Sequence, residues 1–374
     1  MNRGNAGGGR SDGSGGRGGV NLPALRGHNE ALLLDLLRGA GPDGLGRAEL
    51  AGRTGLTPQA VSKITARLAA EGLVAEAGRD ASTGGKPRTR LRLVPHARHA
   101  VGVHLDRDAL RAVRVDLAGG VVAQWSGPLD FGAGPRAAVG EVVRAVARVS
   151  STAQAPPLLG VGVAAPGPLD WRGGVLGRVT GFPEWEGFPL REVLVGRLGV
   201  AVVVDKDTNA GVAAAGSGGP GGAGVPGGGS SVYVHVGTGI GAGLRLDGVV
   251  HRGARSGAGE FGHQVLMLDG PRCRCGGRGC LEVLCLEAVG RGDLAGAARV
   301  LGEGAANLVA LLDVDRVLLG GRVVAGAPEV FVRGVREVLE SRCLSAAPPV
   351  VEAARVGVAE GAAELVLGAV FGRG

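Results

Sequence analysis

Although 45% of the 374 residues are hydrophobic, no uninterrupted apolar run approaches about 18 residues, so a soluble chain with no membrane-spanning helix is expected. The first 19 residues hold Gly, Ser and Arg but no apolar core. They are unlike a secretory signal, read as a disordered tail over residues 1–20, and imply a cytoplasmic protein. Cysteine is scarce at five residues, and without an export signal nothing points to an oxidising compartment. Beyond His99 there is no excess charge of either sign, with 26 Lys and Arg against 26 Asp and Glu. The whole formal charge of +7 therefore lies in the first quarter, where 15 basic residues face 8 acidic ones. That asymmetry suggests a polyanion-binding module joined to a neutral body, although an Arg-rich tail can also act as a mere solubiliser.

What cysteine there is concentrates in one place. Cys273, Cys275 and Cys280 fall within eight residues, and His263 stands ten positions before the first of them. Three thiolates and one imidazole form the ligand set of a closed tetrahedral zinc site. Glycines at 276, 277 and 279 permit the tight backbone that such convergence needs. The competing reading is bridged or free thiols in a surface loop, but Cys273 and Cys275 are too close to bridge each other without strain. With all four positions filled by protein, the Zn2+ is expected to be structural. Cys285 and Cys343 match no ligand spacing and read as buried small apolar residues.

Glu260-Phe261-Gly262-His263, followed by Cys-x-Cys-Gly-x-x-Gly-Cys-x-Glu ending at Glu282, resembles the signature of the ROK family of repressors, open reading frames and kinases. The resemblance covers roughly residues 21–371. It implies an α/β chain with an N-terminal winged helix-turn-helix over 21–96. A two-lobed actin/hexokinase-like (ribonuclease H-like) effector domain would follow over 97–374, with its zinc loop at 259–282.

The first quarter reads as a DNA reader on its own residues. Asn29 to Arg38 has helical spacing, with Leu32, Leu33, Leu36 and Leu37 on one face. A second helix is expected from Arg47 to Arg53, stopping at Gly55. Thr57-Pro58 supplies an N-cap and a first helical residue for a third helix running to about Glu71. Val61, Ile64 and Leu68 line its buried side, while Gln59, Lys63 and Ala66 face outward with Ser62 and Arg67 beside them. That small polar face suits a major groove. A strand from Val74, a Gly84–Pro87 turn and a return strand then place Arg88, Arg90 and Arg92 on one face. Gln59, Ser62, Lys63 and Arg67 are the recognition-helix candidates, with Arg88 and Arg90 as wing contacts. The bland alternative is a small helical accessory domain with a solvated basic hairpin.

From Ala100 the chain turns to Val, Gly and Ala in alternating strands and helices. Strands are expected at 101–105, 112–117, 159–165, 200–204 and 232–236, with 317–321 as the last. Family kinases carry Asp-x-Gly-Gly-Thr-Lys after the first strand, where backbone amides cradle phosphate. Here the matching positions run His104-Leu105-Asp106-Arg107-Asp108-Ala109, without glycine and with two carboxylates. The second hairpin, Gly237 to Gly243, keeps its glycines. The resemblance places Asp207 at the kinase base position and Glu260, His263 and Glu282 on the sugar. It also marks two departures, Lys206 and Gly181 at family Asn positions. Lys206 is expected to pair with Asp207 or to favour an anionic ligand. Ser217 to Ser231 reads as a Gly/Pro surface loop, and the segment between Glu287 and Gly292 as a trimmed helical connection.

The function these observations imply is a sugar-responsive transcriptional regulator, a repressor with a catalytically inactive kinase-like domain. It would bind operator DNA as a homodimer or homotetramer and answer to a sugar or sugar phosphate. Two alternatives stand beside it: an active ATP-dependent sugar kinase, and a ligand-independent DNA-binding protein with a vestigial cleft.

Overall fold

The computed structural model describes residues 22–79, 89–151, 156–216, 229–343 and 347–373. The N-terminal tail, the Gly84–Pro87 turn, Arg88 and most of the loop after Ser217 lie outside the described residues. The head begins with α1 (Leu22–Ala40), β1 (Leu45–Gly46), α2 (Arg47–Thr54) and α3 (Pro58–Ala70), followed by β2 (Val74–Arg79) and β3 (Thr89–Leu93). Gly55 ends α2 in the left-handed conformation at φ 71°, and Thr57 caps α3 by accepting from the Ala60 amide. The expected buried face of α1 is corrected by one position: Leu33, Leu34 and Leu37 are buried, and Leu32 and Leu36 only half-buried. The first helix must face both the head and the body, which turns its apolar stripe.

Lobe 1 contains β4 (His99–Leu105), β5 (Ala109–Asp116), β6 (Val121–Pro128), α4 (Pro135–Ser150) and β7 (Leu158–Ala165). The hairpin of β8 (Leu169–Asp170) and β9 (Val175–Leu176), then α5 (Leu190–Leu198) and β10 (Val202–Lys206), complete it. Helix α6 (Asp207–Gly216) crosses to lobe 2, formed by β11 (Ser231–Val236), β12 (Ile240–Leu246), β13 (Val249–His251), α7 (Leu281–Gly290) and α8 (Leu294–Leu312). It continues through β14 (Arg316–Gly320), α9 (Arg322–Gly326), α10 (Pro328–Arg342) and β15 (Val350–Ala353) to α11 (Val358–Val370). Thus β14 is not the last strand, because β15 pairs beyond it.

The two lobe sheets share one topology. In lobe 1, β4, β5 and β6 form an antiparallel meander, and β7 and β10 add in parallel on the other side of β4. In lobe 2, β11, β12 and β13 form the meander, and β14 and β15 add in parallel beside β11. This duplication makes the β4–β5 and β11–β12 turns structural equivalents. Helix α8 is apolar and long enough to cross a membrane. Ala297, Ala298, Leu301, Ala305 and Val309 are nonetheless buried in the lobe 2 core, making it a core helix.

Helix α11 lies against lobe 1 at backbone distance. A Cβ on Gly102 would fall 1.9 Å from the Ala359 carbonyl oxygen, and one on Gly162 would fall 1.8 Å from that of Ala362. Only glycine in β4 and β7 admits so close a helix. The head is not a separate bead: Leu33, Leu37, Leu50, Val61 and Leu91 share one apolar cluster with Val113, Val115, Ala363, Leu367 and Phe371. The Arg38 guanidinium joins them, buried and bidentate on Glu364 at 2.7 and 2.8 Å. Asp35 pairs with Arg373 at 2.6 Å.

Candidate functional site

A cleft opens between the lobes. Strand β10 delivers Lys206 and Asp207 to its floor, since the strand ends where α6 begins. The Asp207 carboxylate accepts from the Thr208 amide at 2.6 Å and remains half-buried at the cleft. Lys206 does not pair with Asp207. Its Nζ donates to Glu260 Oε1 at 2.7 Å and to the Ala258 carbonyl at 3.0 Å. The loop 252–260 folds over the end of β10, so the nearest acid comes from there and not from the adjacent residue. Below it, buried Asp205 accepts from Asn209 at 2.7 Å and from Arg252 at 2.7 Å. Glu282, on the first turn of α7, accepts from the Ile240 amide at 2.8 Å. The structure thus brings Asp207, Glu260, His263 and Glu282 to one cleft.

Several residues of the cleft were not picked out from sequence. Arg107 and Arg274 add two guanidinium groups to its wall, and Thr180, not Gly181, represents the stretch after β9. Arg274 had one available signal, its position between Cys273 and Cys275 on a loop that borders the cleft. At the β4–β5 turn the lobes are tied together. Asp108 accepts from Arg322 at 2.6 Å, and the Thr238 hydroxyl lies 3.4 Å from Asp106. Behind them His104 is half-buried beside His235 with ring centroids 5.9 Å apart. Burial first, and then His235, push its pKa down to about 4.

The ligand atoms of His263, Cys273, Cys275 and Cys280 all lie within 4.8 Å of one another. His263 Nδ1 is 3.8 Å from Cys273 Sγ, and Cys275 Sγ is 3.7 Å from Cys280 Sγ. Ligand atoms about 2.0–2.3 Å from a tetrahedral ion stand roughly 3.5–3.8 Å apart, so this cluster can hold a metal. Gly279 makes the loop possible, because a Cβ there would strike the Met267 carbonyl oxygen at 1.6 Å. Cys285 is fully buried, as its spacing implied, and Cys343 is half-buried against the lobe 2 core. The connection after the loop is short, with α8 starting four residues after α7 ends.

On the head, Gln59, Ser62, Lys63 and Ala66 are exposed along α3, opposite the buried Val61, Ile64 and Leu68. Two expected contacts have other partners. Arg67 is half-buried and ion-paired with Glu30 of α1. Arg90 donates to the carbonyls of Asp43 and Gly44 at 2.8 and 2.6 Å, which fastens the return strand to the turn before α2. Arg92, on the same face of β3, is exposed.

Comparison with known proteins shows what the chain resembles. Residues 133–290 match the family model described as ROK family. The chain is 28% identical over 261 residues to a xylose repressor of Bacillus spizizenii, covering 69% of this chain and 66% of that one. It is 29% identical over 272 residues to the DNA-binding transcriptional dual regulator NagC of Escherichia coli, covering 72% and 64%. The chain therefore spans about two thirds of the length of these relatives. Among solved structures, a ROK family transcriptional regulator described as a homolog of the E. coli MLC protein aligns with a TM-score of 0.72 at 21% identity, covering 93% of this chain and 97% of that one. A ROK family glucokinase from Streptomyces griseus, in complex with glucose and AMPPNP, aligns with a TM-score of 0.61 at 24% identity over 71% and 98%. The two lobes with their duplicated sheets have the fold of these solved structures, and residues 133–290 resemble a ROK family domain.

Proposed function

We propose that this chain is a sugar-responsive DNA-binding transcriptional regulator, a repressor whose kinase-like domain senses a ligand without phosphorylating it. The observation that carries this reading is the β4–β5 turn. Phosphoryl transfer needs backbone amides closed around the nucleotide phosphates. Here Asp106, Arg107 and Asp108 occupy that turn, and its carboxylates are engaged by Arg322 and Thr238 of the opposite lobe. Anionic side chains at that place repel phosphate.

In this reading α3 enters the major groove through Gln59, Ser62 and Lys63, and the wing, including Arg88, contacts the backbone. Arg67 and Arg90 then act as supports for the head. The relatives named as a xylose repressor and as NagC support both halves of the reading, DNA on one side and a sugar on the other. Asp207, Glu260, His263 and Glu282 hold the sugar's hydroxyls, and Lys206 with Arg107 favours a phosphorylated sugar. His263, Cys273, Cys275 and Cys280 hold a structural Zn2+, which supplies the charge that keeps three sulfurs together. The loop so fixed orients Glu260 and His263 at the cleft. Ligand binding changes operator affinity only through different affinity for two lobe arrangements. A homodimer or homotetramer, with two heads on one operator, converts that difference into a spacing change.

The test is fluorescence anisotropy on DNA from its own promoter region, with and without hexoses, pentoses and their phosphates. Sequence-specific binding that a sugar or sugar phosphate weakens is the expected result; binding to no promoter fragment would refute the reading. Asp207 facing the cleft, with the intact Gly237–Gly243 hairpin, favours an active kinase as the second reading. ATP turnover over the same sugars decides it, and no turnover is expected.

A further inference from the structure

A second cavity lies between α6, the β12–β13 hairpin and α11, and shares no residue with the cleft. Three guanidinium groups line it, Arg245, Arg252 and Arg373, against one carboxylate, Glu364. The acids nearby are already committed. Glu364 holds Arg38, Asp205 holds Arg252 at 2.7 Å, and Asp35 holds Arg373 at 2.6 Å. Arg245 differs from the other two. Its Nε donates to the Gly248 carbonyl at 3.0 Å, but its Nη1 is buried with no hydrogen-bond partner among the described residues. Burial and the neighbouring Arg373 charge both hold its pKa below the usual arginine value.

A buried donor left unpaired is costly, and more so when it carries charge. Water can fill the hydrogen bond but brings no charge to offset the Arg245 guanidinium. The remaining wall is apolar, with Leu365 and Val250 beside the Trp171 ring, over which Arg252 stacks at 4.3 Å. We propose that this cavity binds a small organic anion with an apolar or aromatic body, its carboxylate or phosphate on Arg245 and its body against Trp171 and Leu365. The position adds weight to the site. Glu364 and Arg373 on its wall are the residues that tie α11 and the chain end to α1 of the head, so an occupant sits at the head–body joint.

The experiment is calorimetric titration of the full chain with phenyl phosphate and benzoate, against inorganic phosphate and phenol, which each carry one half of the proposed chemistry. Saturable binding is expected for one of the first pair, about tenfold tighter than for either half alone; which of the two binds better assigns phosphate or carboxylate. Arg245→Met removes the charge at similar length and is expected to weaken binding by about tenfold or more. Gly368→Leu fills the cavity without altering charge, and its Cβ has room, with the nearest atom at 3.5 Å; it should abolish binding. Asp207→Asn, in the cleft, should leave binding unchanged. In the unaltered chain, only one of the three tryptophan indole N–H resonances should shift, the one missing in Trp171→Phe, a readout that does not depend on either cavity variant folding. No saturable binding of either probe, or a shift at another tryptophan, overturns the proposal.

Discussion

Glu364→Gln tests the joint between head and body most directly. The carboxylate sits on α11 with both oxygens on Arg38, and the two side chains are 9% and 3% exposed. Glutamine keeps the shape but leaves a guanidinium buried without its counter-charge. Breaking a buried pair on one side costs about 3–5 kcal/mol, whereas replacing both partners by apolar groups is close to neutral. Glu364→Gln should therefore destabilise by about 3 kcal/mol, and Arg38→Met with Glu364→Leu should recover most of that. Urea unfolding reads it through two probes. The three tryptophans, Trp125, Trp171 and Trp185, all lie outside the head, so their emission reports the body, while far-UV circular dichroism reports both. In Glu364→Gln the dichroism should lose part of its amplitude at lower urea than the emission does. A cost under about 1 kcal/mol, or a double variant no better than the single one, would refute the claim that this pair is a buried, obligatory partnership.

Three further outcomes are expected. Metal analysis of the purified chain should find a single zinc ion per chain, lost in Cys280→Ala; retention of stoichiometric metal in that variant would exclude the cluster as its site. Lys63→Ala and Arg92→Ala should each weaken DNA binding across sequences and reduce the salt slope by about 0.9. Arg90→Ala should instead lower head stability by about 1 kcal/mol, since its hydrogen bonds are internal, and an unchanged melting curve would contradict that. The third concerns pH. His104 is neutral in the fold down to about pH 4 but titrates at 6.5 when unfolded. Between those values the unfolded chain binds more protons, so stability is full above 6.5 and falls as pH drops toward 4, by roughly 3 kcal/mol at most. His104→Leu should flatten that window relative to wild type, and an identical pH slope in the variant would rule His104 out.

Much of the site was legible because it rests on short-range chemistry. The Cys-x-Cys spacing with His263 put three thiols and an imidazole in reach of one another, and Thr57-Pro58 fixed where α3 starts, because caps and tight loops are local. The missing glycines at 106–109 could likewise be read directly. The pairing of side chains was not legible. Lys206 takes Glu260, 54 positions away, and Arg90 takes two carbonyls near position 44, because partners are chosen by proximity in space.

The sequence alone determined the order of a basic head and an α/β body holding a cysteine-rich loop, since composition, charge and periodicity follow from residues close together. Only the tertiary structure decided that both lobes repeat one sheet topology, because strand order is set by which edges meet and not by any one strand's composition. It also decided that the head is fused to the body through α11. Glycines at 102 and 162 let that helix lie on the sheet, and the cluster from Leu33 to Phe371 spans both ends of the chain. Apolar surface is buried wherever the chain's ends come together, whatever their separation in sequence.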